Sequence, residues 1–179
     1  MSAATYDIAF RGAMLERGFW LYVWEISTEI ETHVYYVGRT GDSASKSAQS
    51  PFNRMSQHLC FNRNSNALRR QLHSRGLDPS KCAFRPVAHG PLLAEADTLD
   101  QRRQRRDRVA AMEKALAKAM TEVGYDVINT IHCRTQLDVE TFAGVRTAFA
   151  SHFHRLLSGE SAAATREFAN RTKKHGGHA

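Results

Sequence analysis

Apolar positions in this chain alternate between two spacings, one suited to strands and one suited to helices. Residues 19–26 (FWLYVWEI) and 33–39 (HVYYVGR) are rich in aromatic and β-branched side chains. Such side chains pack well on a pleated surface, so both stretches read as strands. The short polar segment 27–32 between them predicts an antiparallel hairpin. A hairpin closing around Glu29 would set Tyr22 opposite Tyr36 on one face.

Residues 40–49 mix glycine, serine, alanine and single charges, and read as a mobile loop. Ser50 and Pro51 then mark a helix start, because a hydroxyl can cap free backbone N–H groups and the proline ring presets a helical φ. On that helix Phe52, Met55 and Leu59 share one face, while Arg54 and His58 lie one turn apart on another. A shorter helix over 66–75 stops at Gly76. Residues 81–87 read as a third strand, with Pro86 placing its end at a sheet edge or bend. From 92 to 123 the spacing is helical, with an apolar stripe of Val109, Met112, Leu116 and Met120. Residues 126–132 read as a last strand, and 137–157 as an amphipathic helix burying Val145, Phe149, Phe153 and Leu156. The polar, alanine-rich stretch from 158 onward is expected to be loose.

These elements predict an α+β fold: a small, mostly antiparallel sheet built from the N-terminal hairpin and later strands, flanked by helices, with an extra C-terminal helix. The expected organisation is a lead-in (1–18), one folded domain (19–135), a helix packed on it (136–158) and a flexible tail (159–179). A chain of 179 residues with 42% hydrophobic content can bury a core of that size.

Charge narrows the partners. Lysine and arginine number 25 against 18 acidic residues, a net charge of +7. That excess suits a polyanion such as DNA, although an ordinary basic surface would look the same by composition. Three cysteines with no pairing pattern argue against a disulfide framework and for a reducing compartment. The first ten residues lack a secretory pattern, and the longest apolar run, 19–24, is too short to span a bilayer. A cytoplasmic protein with no membrane partner is expected. No CxxC or paired His-Cys spacing occurs, so structural zinc is not expected. Serine and cysteine nucleophile motifs and Gly-rich nucleotide loops are also missing from the sequence.

The candidate chemistry lies elsewhere. The first strand carries Leu21-Tyr22-Val23, and the second carries Tyr36-Val37-Gly38-Arg39. Arg54 and His58 follow on the next helix, Glu113 on the long helix, and Asn129 in Val127-Ile128-Asn129. In this order the residues resemble the GIY-YIG endonucleases over residues 19–131. The first family triplet is matched at Tyr22, and the second at Tyr36 and Gly38 with Val37 replacing isoleucine. The resemblance implies a Mg²⁺- or Mn²⁺-dependent endonuclease that hydrolyses DNA phosphodiester bonds. It implies Tyr22, Tyr36, Arg54, His58 and Glu113 as catalytic residues and Glu113 as the metal ligand. Gly38, Arg39 and Asn129 would have structural or DNA-contacting roles.

Physical chemistry asks for a similar set. Phosphodiester cleavage needs a route for the nucleophile's proton and a counter-charge for the transition state. Mg²⁺ keeps most of its waters and takes one or two carboxylates, which Glu113 can supply. Glu113 lies about 40° from the apolar stripe, where a carboxylate wants a partner. Arg54 offers a planar fork to a phosphate. His58 can relay a proton near neutral pH. A free tyrosine ionises near pH 10, so Tyr22 would need positive charge from Arg39, Arg54 or a metal, or a relay through His58. Gly38 would let DNA or a helix approach the strand, and Arg39 would contact a phosphate.

Each residue alone also has an ordinary reading, as core aromatics, surface arginine, structural histidine or solvated glutamate. The alternative to an enzyme is a catalytically inactive nucleic-acid-binding module with the same fold. The arginine run 102–108 and the group Asn62-Arg63-Asn64, Arg69, Arg70 and Arg75 could touch phosphates or simply be solvated. One site cutting both strands would act as a homodimer or by sequential nicking.

Overall fold

A computed structural model describes residues 3–42, 47–62 and 66–157. Residues 43–46 of the expected loop, Arg63 and Asn64, and the tail from 158 lie outside the described residues. The elements, in chain order, are β1 (Phe19–Ser27), β2 (His33–Arg39), α1 (Pro51–Leu59), α2 (Ala67–Ser74), β3 (Ala83–Leu93), α3 (Leu99–Glu122) and α4 (Val139–Ala150). Short 3-10 turns cover Gly12–Leu15 and Pro79–Lys81. The three strands form one antiparallel sheet in the order β2-β1-β3, so the fold is α+β.

Strand β1 sits in the middle with a neighbour on each side and helices over both faces. That explains why 19–24 is apolar without alternation: both sets of side chains are buried. Tyr22, Trp24 and Ile26, with Val34 and Tyr36, face Met55 of α1 and Leu68 and Leu72 of α2. Leu21, Val23, Tyr35 and Val37 face the α3 stripe and Val145 and Phe149 of α4. Val109, Met112, Leu116 and Met120 are all essentially inaccessible to solvent. Each fully buried aliphatic side chain of this kind contributes about 1.5–3 kcal/mol relative to exposure. Among the described residues, no helix is long and apolar enough to cross a membrane.

Several boundaries differ from the sequence expectation. The hairpin closes around Ile30 rather than Glu29, which pairs Tyr22 with Gly38 and Trp24 with Tyr36. Thr28 and Thr32 set this register: the Thr28 N–H donates to the Thr32 carbonyl, and their hydroxyls meet at 2.7 Å. The three-residue loop between them closes with Glu31 at φ 56°. Because the pairing moves by two positions, side-chain parity is kept, and Tyr22 and Tyr36 still share a face.

Strand β3 extends past Pro86 to Leu93, and α3 begins only at Leu99, with the Thr98 hydroxyl accepting from the Gln101 N–H. Pro86 is tolerated because β3 is an edge strand. An irregularity between Phe19 and Leu21 lets Leu93 pair with Phe19, so apolar Leu92 and Leu93 serve the core from a strand and not from a helix.

The expected last strand, 126–132, is reduced to one parallel bridge between Val127 and Tyr35. Helix α4 ends at Ala150, yet Phe153 and Leu156 remain buried in the turns beyond it. On α1 the buried residues are Pro51, Met55 and His58, while Phe52 turns outward and stacks on Phe10.

Candidate active site

Where β2 ends, α1 and the middle of α3 converge on it. The Ser50 hydroxyl caps α1 by accepting from the Asn53 N–H, which fixes where the first turn begins. Arg54 and His58 then project from successive turns toward the Tyr22–Tyr36 face of the sheet.

Tyr22 is buried, and its hydroxyl meets Nε2 of His58 and lies 3.3 Å from the Arg39 carbonyl oxygen. The space its ring occupies belongs, in most strands, to the side chain of residue 38. A β-carbon on Gly38 would stand 2.6 Å from the Tyr22 hydroxyl oxygen and closer still to the ring. The room above Gly38 is thus filled by Tyr22 itself.

His58 is fully buried, with its ring edge-on to Tyr22 and Tyr36 at centroid separations of 5.5 and 5.1 Å. Burial, helped by the charge on Arg54, pushes its pKa down to about 3, so the imidazole is neutral. Its Nδ1 has no hydrogen-bond partner among the described residues. If Nε2 carries the proton and donates to Tyr22, Tyr22 can donate to the Arg39 carbonyl, and no buried N–H is left unpaired.

Both tyrosines stay protonated in this setting. Burial raises the Tyr22 pKa well above its ordinary value, with Tyr36 adding to the effect and Arg54 only partly opposing it. Burial and then Glu113 raise that of Tyr36. The expected help from positive charge exists, but desolvation outweighs it.

Glu113 and Arg39 form the second half of the site. Arg39 Nε donates to Glu113 Oε2 at 2.8 Å, with side chains only 17% and 13% exposed. Even so, burial raises the Glu113 pKa to about 7, with Asp42 adding to the rise and Arg39 and Arg54 opposing it. Its carboxylate charge is therefore incompletely compensated. Arg39 also has an unused donor: Nη1 is buried and has no hydrogen-bond partner among the described residues.

Arg54 pairs with Asp42, donates from Nη1 to Gln57 Oε1 at 3.2 Å, and leaves its buried Nε without a hydrogen-bond partner. Burial works against its charge, but Tyr22, Asp42 and Tyr36 outweigh that, and the guanidinium stays protonated. Asp42 escaped the sequence reading, because an acid in a polar loop looks like any solvated side chain. Its one signal was Gly41 just before it, a glycine at φ +80° packed against the Phe19 ring.

Asn129 acts on the backbone. Its Oδ1 accepts from Val37 N at 3.0 Å, and its Nδ2 donates to Val37 O at 2.7 Å. The neighbouring backbone pairs Tyr35 with Asp126 and Ile128. The side-chain amide therefore continues, for one more residue, the ladder that the main chain began. The missing strand is replaced by one amide in the right place.

Other basic residues are largely occupied. Arg103, Arg106 and Arg108 pair with Asp100, Asp107 and Asp138, and Arg105 donates to the carbonyls of Ala94 and Glu95. Arg75 pairs with Asp126, and Arg69 donates to the Leu59 carbonyl while lying over the Phe61 ring.

Among the described residues, no group of three or more His, Cys, Asp or Glu side chains is placed to hold a metal ion. A cation that retains its waters needs less. An ion such as Mg²⁺ or Mn²⁺ can be held through one or two protein carboxylates, and Glu113, paired here with Arg39, is the carboxylate of this site that could serve. Comparisons with protein-family models, with curated proteins and with solved structures find no match to this chain.

Proposed function

We propose that this chain is a divalent-metal-dependent endonuclease that hydrolyses DNA phosphodiester bonds, leaving a 5′-phosphate and a 3′-hydroxyl. One observation carries the reading. Two arginines, Arg39 and Arg54, each keep a buried donor unfilled, and they flank one under-compensated carboxylate and a neutral tyrosine–histidine pair. Buried donors without partners are costly, and a phosphate oxygen that reached either one would relieve that cost.

In this reading Arg54 and Arg39 hold the scissile phosphate and offset charge growing on its oxygens. Glu113 would hold the cation, which would supply Lewis-acid stabilisation of the phosphate charge. Tyr22 moves the nucleophile's proton as a relay, accepting from water while passing its own hydrogen to Nε2 of His58. This step uses the other tautomer of the neutral ring, with its proton on Nδ1, so that Nε2 is free to accept. A relay suits a tyrosine whose pKa is raised, because no free phenolate has to exist beforehand. A phosphate on Arg54 would also offset the charge that helps to depress His58. Tyr36 holds the His58 ring edge-on. The net charge of +7 suits a DNA partner, and the free cysteines suit a reducing, cytoplasmic setting. Double-strand cuts would come from a homodimer or from sequential nicks.

The test is supercoiled plasmid incubated with Mg²⁺, with Mn²⁺ and with EDTA, alongside Glu113→Ala. Metal-dependent nicking that disappears in the variant is expected. Salt-sensitive binding with no cleavage under any metal would replace the enzyme with a non-catalytic DNA-binding module.

A further inference from the structure

Asp42 Oδ2 pairs with Nη2 of Arg54, on the guanidinium assigned above to the phosphate. Carboxylate and phosphate both present paired oxygens to a guanidinium, so the two compete for one seat. We propose that Asp42 is a built-in competitor that holds the phosphate seat of Arg54 in the free protein and yields it to a substrate phosphate. The inference rests on the phosphate role given to Arg54.

The two partners are anchored very differently. Arg54 stands on α1, is only 14% exposed in its side chain, and has a second hold through Gln57 on the same helix. Its guanidinium can keep its place when Asp42 leaves. Asp42 lies in the loop after β2, directly after a glycine, and its side chain is 31% exposed. The acid is thus the more solvent-exposed partner and the one held outside regular secondary structure.

Asp42 is also well suited to discriminate. A lone phosphate or a stray anion must displace it using Arg54 alone. A DNA strand brings further phosphates to the basic surface and can meet that cost from contacts elsewhere. Asp42 therefore lowers occupancy of the seat by anions that cannot proceed to cleavage. A partly exposed pair of this kind changes binding by roughly two- to fivefold.

The experiment uses the full chain and a short fluorescein-labelled duplex in EDTA at fixed salt, read by fluorescence anisotropy. Four proteins are compared: wild type, Asp42→Asn, Arg54→Gln and the double variant, each checked for folding by circular dichroism. Asp42→Asn should bind two- to fivefold more tightly than wild type, and Arg54→Gln more weakly. The double variant should bind no more tightly than Arg54→Gln, because the seat Asp42 blocks is gone. Equal tightening in both backgrounds would mean that the added positive charge acts at long range, and would overturn the proposal. Weaker binding by Asp42→Asn, or loss of its fold, would overturn it in favour of a structural role. The measurement needs no cleavage. Plasmid cutting without this pattern would sink only the Asp42 proposal, and the pattern without cutting would sink only the endonuclease reading.

Discussion

The ring of Tyr22 lies across the hairpin in the place where Gly38 has no side chain, and this vacancy lets its hydroxyl reach His58. Gly38→Ala should therefore force the ring aside. Overpacking of a buried contact costs about 1–3 kcal/mol. The variant should lose stability on that scale in urea denaturation, and should lose most cleavage activity with it. Gly12→Ala is the control, since nothing lies within 4 Å of a β-carbon there. A Gly38→Ala protein as stable and active as wild type would show that the Tyr22–His58 contact does not matter.

Glu113 should couple cation binding to pH. Its pKa is raised to about 7, above the ordinary carboxylate value, so the folded protein holds a proton there that the unfolded chain releases. Its contribution to stability is thus present at low pH and is lost as pH rises from about 4.5 through 7. A cation needs the deprotonated form, which at that pKa is about tenfold scarcer at pH 6 than at pH 8. Calorimetric titration with Mn²⁺ should show apparent affinity about tenfold weaker at pH 6. Glu113→Gln should remove both the binding and its pH dependence. A pH-independent affinity would argue against Glu113 as the ligand.

His58 should make the fold acid-sensitive. The folded pKa near 3 lies below the ordinary histidine value of 6.5, so the unfolded chain takes up a proton that the buried ring refuses. Stability from this group is complete above about pH 6.5 and is lost as pH falls from there toward 3. Comparing wild type with His58→Gln by denaturant titration across that window isolates the effect from the carboxylates. Wild type should lose stability more steeply on acidification. Parallel curves would mean that the ring is not confined as the packing indicates.

Asn129 should behave as part of the sheet. Asn129→Ala leaves both polar groups of Val37 without their amide partner, and one buried unsatisfied group costs about 1–3 kcal/mol. Asn129→Asp keeps the acceptor but sets an oxygen against the Val37 carbonyl, so it should cost at least as much near neutral pH. Unchanged thermal stability with weakened duplex binding would instead make Asn129 a DNA contact.

Much of this architecture was readable before any coordinates. The strands β1 and β2, the capped start of α1, the stop at Gly76 and the buried stripe of α3 follow from spacing, because each residue's preference for core or solvent is a local property. The candidate residues Tyr22, Tyr36, Arg54, His58 and Glu113 were singled out by a resemblance in their order along the chain, and not by any local preference. Their order along the chain says nothing of their protonation.

Only the tertiary structure decided the rest. The hairpin register turned on two threonines that a polar segment hides. The last strand gave way to the amide of Asn129, which reaches Val37 across 92 positions of sequence. Arg39 meets Glu113 across 74 positions, and Asp42 entered the site because α1 folds back onto the loop after β2. Coulomb energies and desolvation depend on distance and burial in space, which sequence spacing does not encode. For this chain, sequence determined which groups are present, and packing decided which of them carry charge.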